Sequence, residues 1–297
     1  MRNKISFEQS LVIIFLLLFA VGLFGDQPYV IMVSFDGFRY DYHTKTETPN
    51  LDLMRDNGVK AEGLQPVFPS KTFPNHYALA TGAYAATNMI TANTFYDYEY
   101  KQVYKIADKD KVRDAKWYKA EPIWVTAERQ NVKSASYFWV GSEAPIKGYL
   151  PSIVKAYDHN FPFKARVDSV MSWLQLPPEE RPHLLMLYFH EPDSAGHKFG
   201  PESPEMIPVI KNMDDILGYI LEGINKLDIA NQINLVLVSD HGMTSISKER
   251  VIYLEDHVSD INTFFTFAGD PVVQIHLKEQ NEDVITKLNK ELKNIEH

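Results

Sequence analysis

The segment INLVLVSDHGM sets Asp240 and His241 side by side where an apolar run gives way to a turn. A carboxylate next to an imidazole is a ligand pair suited to zinc. Compatible partners stand at the ends of other strand-like runs: Asp36 after VIMVSF, Thr72 within PSKTFPN, and Asp193 with His197 in EPDSAGHKFGP. A two-metal hydrolase needs about this set. Taken singly, each residue has an ordinary reading. Asp36 followed by Gly37 passes as a turn. Asp193 and His197, four apart, would share a helix face, either holding an ion or facing solvent. On a regular strand Asp240 and His241 would point to opposite faces, and only a turn beyond the strand end can aim both inward. Joint occurrence shifts the balance, because each stands at the end of an apolar run and near a Gly or Pro that permits a sharp bend.

Four apolar runs read as the buried strands that would position these groups: Tyr29 to Phe35, Ser134 to Val140, Leu184 to Phe189 and Ile233 to Val238. Helical patterns alternate with them. Pro49 and Asn50 open one that Gly58 closes, Pro122 begins a second, Pro162 leads into FKARVDSVMSWLQL, and Pro204 leads into a long one ending near Leu227. This alternation predicts an α/β fold, a mostly parallel sheet sandwiched between helices. In such sheets ligands gather beyond the carboxyl ends of the strands, where Asp36, Asp193 and the Asp240/His241 pair fall. The charged, tyrosine-rich segment from Thr91 to Tyr118 reads as an irregular excursion near the site.

Composition narrows the chemistry. With 45% hydrophobic residues, 17 Phe and 16 Tyr among 297 residues, the chain can bury a large core in one catalytic domain. A formal charge of -9 argues against binding a nucleic acid polymer, which needs clustered Lys and Arg. It leaves a small phosphate ester open, because a metal supplies local positive charge. The absence of Cys removes disulfides, thiolate ligands and a cysteine nucleophile, so any metal site must use His, Asp and hydroxyl groups. Arg2 and Lys4 precede the apolar run from Leu11 to Gly25, and Asp26 and Gln27 follow it. That order predicts a secretory signal peptide over residues 1–25, with an uncleaved anchor as the alternative and membrane contact only through this export signal. An exported chain with neither Cys nor an Asn-x-Ser/Thr acceptor predicts a bacterial periplasm.

The motifs SFDGFR, FPSKTFPNHYALATG, EPDSAGHKFGP and VSDHGM, in this order, resemble those of the nucleotide pyrophosphatase/phosphodiesterase family within the alkaline phosphatase superfamily. The resemblance runs from about Tyr29 to the end of the chain and implies an alkaline-phosphatase-like fold with two zinc ions. It makes Thr72 the nucleophile, sharing one zinc with Asp36, Asp240 and His241, while Asp193 and His197 hold the second. Asn93, in TANTFYD, matches the family's Asn whose amide helps to bind a phosphoryl oxygen without titrating. Phe73 matches the aromatic that stacks on a nucleobase, with Tyr157 in VKAYDHN as the opposite wall. The implied reaction is zinc-dependent hydrolysis of a phosphodiester or pyrophosphate bond in a small-molecule diester, a nucleotide, through a covalent phosphothreonine.

Charge balance points the same way. Two dications against three carboxylates leave one positive charge, which a Thr72 alkoxide cancels, and such a site suits a singly charged diester. Phe73 and Pro74 follow Thr72 where a monoesterase would be expected to add a guanidinium clamp, although Lys71 precedes it. Pro74, in the first turn of a helix after Thr72, predicts free backbone N–H groups beside the phosphate.

One departure stands out. The family's second zinc takes a further His from a Gly-rich motif well beyond the Asp-His pair, and His257, His276 and His297 lack its neighbours. The expectation is therefore a catalytic domain over residues 26–297 whose C-terminal part is missing and whose second zinc site is incomplete. Three other readings use the same residues. One is a phospholipid- or phosphonate-type diester hydrolase on the same core. A sulfatase is disfavoured, because Thr72-Phe-Pro-Asn-His76 is not its Cys/Ser-x-Pro-x-Arg motif. The last is an inactive, truncated zinc-binding relic.

Overall fold

Tyr29, Ile31, Val33 and Phe35 pack on one side of strand β1 (Tyr29–Phe35), while Val30 and Met32 pack on the other, the period-two alternation of a strand covered on both faces. The computed structural model describes residues 27–269, 272–279 and 281–295, so the expected signal peptide lies outside the described residues. Among them no helix is long and apolar enough to cross a membrane.

After β1 the chain forms α1 (Pro49–Asp56), α2 (Thr72–Thr81), α3 (Ala85–Asn88), the strands β2 (Thr94–Asp97) and β3 (Gln102–Lys105), then α4 (Lys109–Val112) and α5 (Ile123–Arg129). It continues through β4 (Ser134–Tyr137), β5 (Ile153–Lys155), α6 (Phe163–Leu174), β6 (Leu184–Phe189), α7 (Asp193–Phe199), α8 (Met206–Asn225) and β7 (Ile233–Val238). Strands β8 (Phe264–Gly269) and β9 (Val272–Leu277) and helix α9 (Glu282–Lys293) follow. The central sheet has five strands in the order β5-β4-β6-β1-β7, and every pair is parallel. Helices α6 and α8 cover one face through Val167, Val170, Leu174, Met213, Leu217 and Ile220. Helices α2 and α5, with the β2–β3 hairpin, cover the other through Tyr77, Trp124, Val125, Phe95 and Tyr104. Strand β6, between these layers, is buried at every position, as expected of a parallel strand with no solvent face.

Helix α8 also caps α1. Its apolar stripe of Met206, Ile210, Met213, Leu217, Ile220 and Ile224 faces the core, and Asp214, only 1% exposed, lies beside that stripe. The Asp214 carboxylate accepts from Asn50 N (3.1 Å), Leu51 N (2.8 Å) and Asn50 Nδ2 (2.9 Å), satisfying first-turn donors that Thr48 at the N-cap leaves unbonded. Asp214→Ala is expected to lower stability by about 1–3 kcal/mol, because it removes the acceptor from three part-buried donors. Urea unfolding of the variant checks this.

Two expectations change. The strand predicted over Ser134 to Val140 ends at Tyr137. Phe138 takes a left-handed φ of 72°, and Trp139 N donates to Ser136 Oγ (3.2 Å), so the backbone turns and carries Trp139 and Val140 into the α2/α5 layer. The Thr91 to Tyr118 segment is ordered rather than irregular. β2 and β3 pair antiparallel, and Phe95 stacks on Tyr104 (5.0 Å between ring centroids) against the edge of Trp117. Aromatic alternation builds this hairpin, and the interleaved charges hide it in the sequence.

Candidate active site

Strands β6, β1 and β7 are neighbours, so their carboxyl ends open side by side. Asp36, the first residue after β1, donates its N–H to Phe189 O and accepts at its carbonyl from Asp193 N, each at 3.0 Å. Gly37 N donates to Asp240 Oδ1, also at 3.0 Å. These bonds stitch three strand ends around one dipeptide. Gly37 has a φ of +68°, and a Cβ added there would stand 2.9 Å from Asp193 Cβ, so this turn requires glycine.

Asp36, Asp240 and His241 each offer a ligand atom, and the three atoms lie within 4.8 Å of one another. His241 Nε2 is 3.2 Å from Asp240 Oδ2 and 3.5 Å from Asp36 Oδ1. Both carboxylates are 2% exposed. Burial, reinforced by Asp240 and Asp193 nearby, pushes the Asp36 carboxyl well above the usual carboxylate range. Burial likewise pushes Asp240 up to about 7. The Tyr188 hydroxyl donates to Asp36 Oδ2 at 2.6 Å. In contrast Asp36 Oδ1, Asp240 Oδ2 and Asp193 Oδ1 are buried without a hydrogen-bond partner. Buried carboxylate oxygens left unpaired are costly, and a cation is what would satisfy them. Two carboxylates and an imidazole form a donor set that fits zinc. Asp193 and His197 occupy one turn of α7, with Oδ1 and Nε2 3.5 Å apart, and can offer two ligands to a second ion. His276 stacks on Phe265 instead (5.3 Å between ring centroids) and lines no part of the cavity beside Asp36.

A cavity of about 480 Å³ opens over this ground, lined by Asp36, Thr72, Phe73, Asn93, Tyr157, Asp193 and His197 among others. Asp240 and His241 do not line it, and Asp36 is where this ligand group meets it. Thr72 is the first residue of α2. Asn93 accepts at Oδ1 from Phe73 N (3.0 Å); a backbone N–H can only donate, so the amide nitrogen of Asn93 is the end left for a ligand. The same bond corrects the expectation of several free N–H groups at this helix start. The Phe73 N–H is engaged, Pro74 has none, and Asn75 N donates to Lys71 O (3.1 Å), which leaves that of Thr72 itself. Phe73 rests against Tyr104 and Tyr157 against Phe138, with centroids 6.3 and 5.2 Å apart. Glu143 accepts from Tyr157 N at 2.9 Å and pairs with Arg113 at 2.8 Å, fixing that wall.

Several residues of the site escaped the sequence reading. His76 is fully buried, with Nδ1 2.9 Å from Thr72 O and 3.3 Å from Asp240 Oδ2, and Nε2 2.8 Å from Ser34 Oγ. Burial lowers its pKa to about 3, so a neutral ring ties the backbone of the helix bearing Thr72 to Ser34 on β1, beside the Asp240 carboxylate. Its spacing of four from Thr72 was the available signal. Tyr188 and Arg166 offered none. Arg166, also buried, donates to Tyr188 O (2.9 Å) and twice to Phe161 O (3.1 and 2.9 Å), holding the loop that carries Tyr157.

Residues 30–297 match the profile of a family described as type I phosphodiesterase / nucleotide pyrophosphatase. The chain is 41% identical over 246 residues to ectonucleotide pyrophosphatase/phosphodiesterase family member 1 of Rattus norvegicus, covering 82% of this chain and 27% of that protein. It is also 41% identical to a venom phosphodiesterase of Naja atra, again over 82% of this chain and 29% of the relative. The chain thus spans little more than a quarter of the length of these curated relatives. Among solved structures, murine ectonucleotide pyrophosphatase/phosphodiesterase 5, an inactive threonine-to-alanine variant in complex with AMP, superposes with a TM-score of 0.81 at 33% identity, covering 88% of this chain and 69% of that one. The human counterpart gives a TM-score of 0.82 at 33% identity, covering 90% and 70%.

Proposed function

The chain belongs to the type I phosphodiesterase / nucleotide pyrophosphatase family, and from that premise we propose that it hydrolyses phosphodiester or pyrophosphate bonds of nucleotides through a covalent intermediate on Thr72. The observation that carries this reading is the convergence of three unpaired buried carboxylate oxygens, from Asp36, Asp240 and Asp193, beside a cavity that Thr72 also lines. Asp36, Asp240 and His241, with Thr72, would hold one zinc ion, and Asp193 with His197 would contribute to a second. When bound, the two cations supply the positive charge that makes a threonine hydroxyl a competent nucleophile and offsets charge on a departing oxygen.

Every other part of the work falls to the chain. Thr72 Oγ bonds to phosphorus as the bond to the leaving oxygen breaks, and water then cleaves the phosphothreonine to release a nucleoside monophosphate. The Asn93 amide nitrogen donates to a phosphoryl oxygen whose negative charge grows during attack. Phe73 and Tyr157 take the nucleobase by stacking, which tolerates any base. His76, uncharged, holds the backbone of Thr72 to Ser34 on β1. A relative bound to AMP and relatives named as nucleotide pyrophosphatases support the choice of nucleotide. Relatives named as ectoenzymes and venom enzymes support an exported setting, and the narrower expectation of a bacterial periplasm rests on the missing Cys and Asn-x-Ser/Thr sequences.

The test pairs zinc content with hydrolysis of the p-nitrophenyl ester of thymidine 5′-monophosphate. The expected result is release of both nitrophenol and thymidine monophosphate by the zinc-loaded protein, with p-nitrophenyl phosphate a poorer substrate. A zinc-loaded protein that prefers the monoester, or turns over neither, would contradict the proposal.

A further inference from the structure

On the Asp193 side of the cavity stand two imidazoles with no role so far. His159 and His190 stack with centroids 3.9 Å apart and 20° between their planes, and both line the cavity with Asp193, Ser194 and His197. The pair is held from several directions. His159 Nδ1 meets the Tyr157 hydroxyl at 3.0 Å, the His159 carbonyl accepts from Arg166 at 3.4 Å, and Phe163 packs edge-on against His190 with centroids 5.0 Å apart. His190 Nδ1 is buried and has no hydrogen-bond partner.

These contacts favour one tautomer in each ring. A buried N–H without an acceptor costs more than a buried lone pair, so the proton of a neutral His190 belongs on Nε2. At the 3.0 Å contact between the Tyr157 hydroxyl and His159 Nδ1 the phenol is the better donor and the ring nitrogen the better acceptor, an arrangement that places the His159 proton on Nε2 as well. Two parallel rings therefore offer two Nε2–H donors, held in place before any ligand arrives.

In an in-line displacement the departing group leaves opposite the nucleophile. With Thr72 as nucleophile and Asp193 and His197 on the departing side, the leaving group would depart towards the part of the cavity lining that also carries this pair. We propose that His159 and His190 form a subsite for a phosphate carried by the leaving group. This inference rests on the phosphodiesterase reading and deepens it. The preferred substrates become nucleotides whose scissile phosphate is followed by another, such as nucleoside triphosphates and dinucleoside polyphosphates. Hydrogen bonds from imidazole N–H groups to an anionic oxygen are charge-assisted and stronger than neutral ones.

Calorimetry in a Thr72→Ala background, with zinc supplied, tests the subsite without consuming ligand. The probes are AMP and α,β-methylene ATP, which share the nucleoside and first phosphate and differ only beyond it. His159→Ala and His190→Ala should each weaken the triphosphate analogue by about three- to tenfold, the range of a charge-assisted hydrogen bond. AMP binding should stay within about twofold. His159 is exposed, so its variant tests the subsite even where His190→Ala disturbs the fold. Equal weakening of both ligands would show that the pair only buttresses the Tyr157 wall, and no change in either would show that it touches no substrate; each result overturns the subsite alone. Binding of neither ligand before the histidines are changed would overturn the phosphodiesterase reading together with the subsite.

Discussion

Thr72→Ala is expected to reduce hydrolysis of nucleotide diesters by at least about a thousandfold in kcat, because no partial mechanism replaces a lost nucleophile efficiently. The fold should survive. Thr72 is half-buried at the start of α2, the N-cap position belongs to Lys71, and the backbone carbonyl of Thr72 rather than its side chain holds His76. The unfolding free energy should therefore change by less than about 0.5 kcal/mol. Nucleotide binding should also persist, since Asn93, Phe73 and Tyr157 are untouched. Thr72→Ser keeps the oxygen and should retain measurable turnover. Kinetics, thermal unfolding and AMP titration on the same preparations separate these effects. A kcat for the alanine variant close to that of the unmodified protein would mean that water attacks phosphorus directly and that Thr72 is no nucleophile.

Stripping the protein of metal with a chelator is expected to lower its melting temperature, and to do so more at about pH 7.5 than at about pH 5. The sign follows from Asp36 and Asp240. Both are raised in the folded protein, Asp240 to about 7 by burial and Asp36 well above its ordinary value by burial and by the neighbouring carboxylates. In the unfolded chain each ionises near its ordinary value, at about 4. Between these limits the folded, metal-free protein holds protons that the unfolded chain has released. Its stability is therefore greatest below about pH 4 as far as these groups are concerned, and falls as pH rises towards about 7. A cation reverses this by stabilising the ionised carboxylates. Apparent zinc affinity should climb by up to about tenfold per pH unit for each proton displaced, the share due to Asp240 levelling off above about pH 7. At a hundredfold excess over Kd the ion adds about 2.7 kcal/mol. Asp240→Asn should remove most of both effects. The assignment would be lost if the metal-free melting temperature rose between about pH 5 and pH 7, since the buried carboxylates would then be ionised without a cation.

The legible part of this molecule was the part encoded in continuous runs. β1, β6 and β7 are almost wholly apolar stretches, broken only by Ser34 and Asn234, and their ends are where Asp36, Asp193, Asp240 and His241 stand. Their assembly needed only the rule that strand ends gather ligands. Other features depend on which strands are neighbours, a fact that no single segment carries. Tyr188 reads as one more core residue until β6 is placed beside β1, which brings its hydroxyl to Asp36. His159 and His190 belong to a loop and a strand end, and nothing in either segment says that they stack. Strand β4 was overextended because a left-handed Phe138 leaves no trace in a hydrophobic pattern. His76 is the instructive case, since one helical turn from Thr72 was visible in FPSKTFPNHY and its partner Ser34 and neighbour Asp240 were not.

The Asp36-Gly37 dipeptide binds Phe189 and Asp193 through the Asp36 backbone and Asp240 through the Gly37 N–H. It therefore acts as a common pin through three plates. The Asp193/His197 pair and the Asp36/Asp240/His241 group cannot drift independently, because moving either drags the same peptide. Wear at one centre is misalignment at the other, and the pin tolerates no thicker residue at position 37, where the plates already touch.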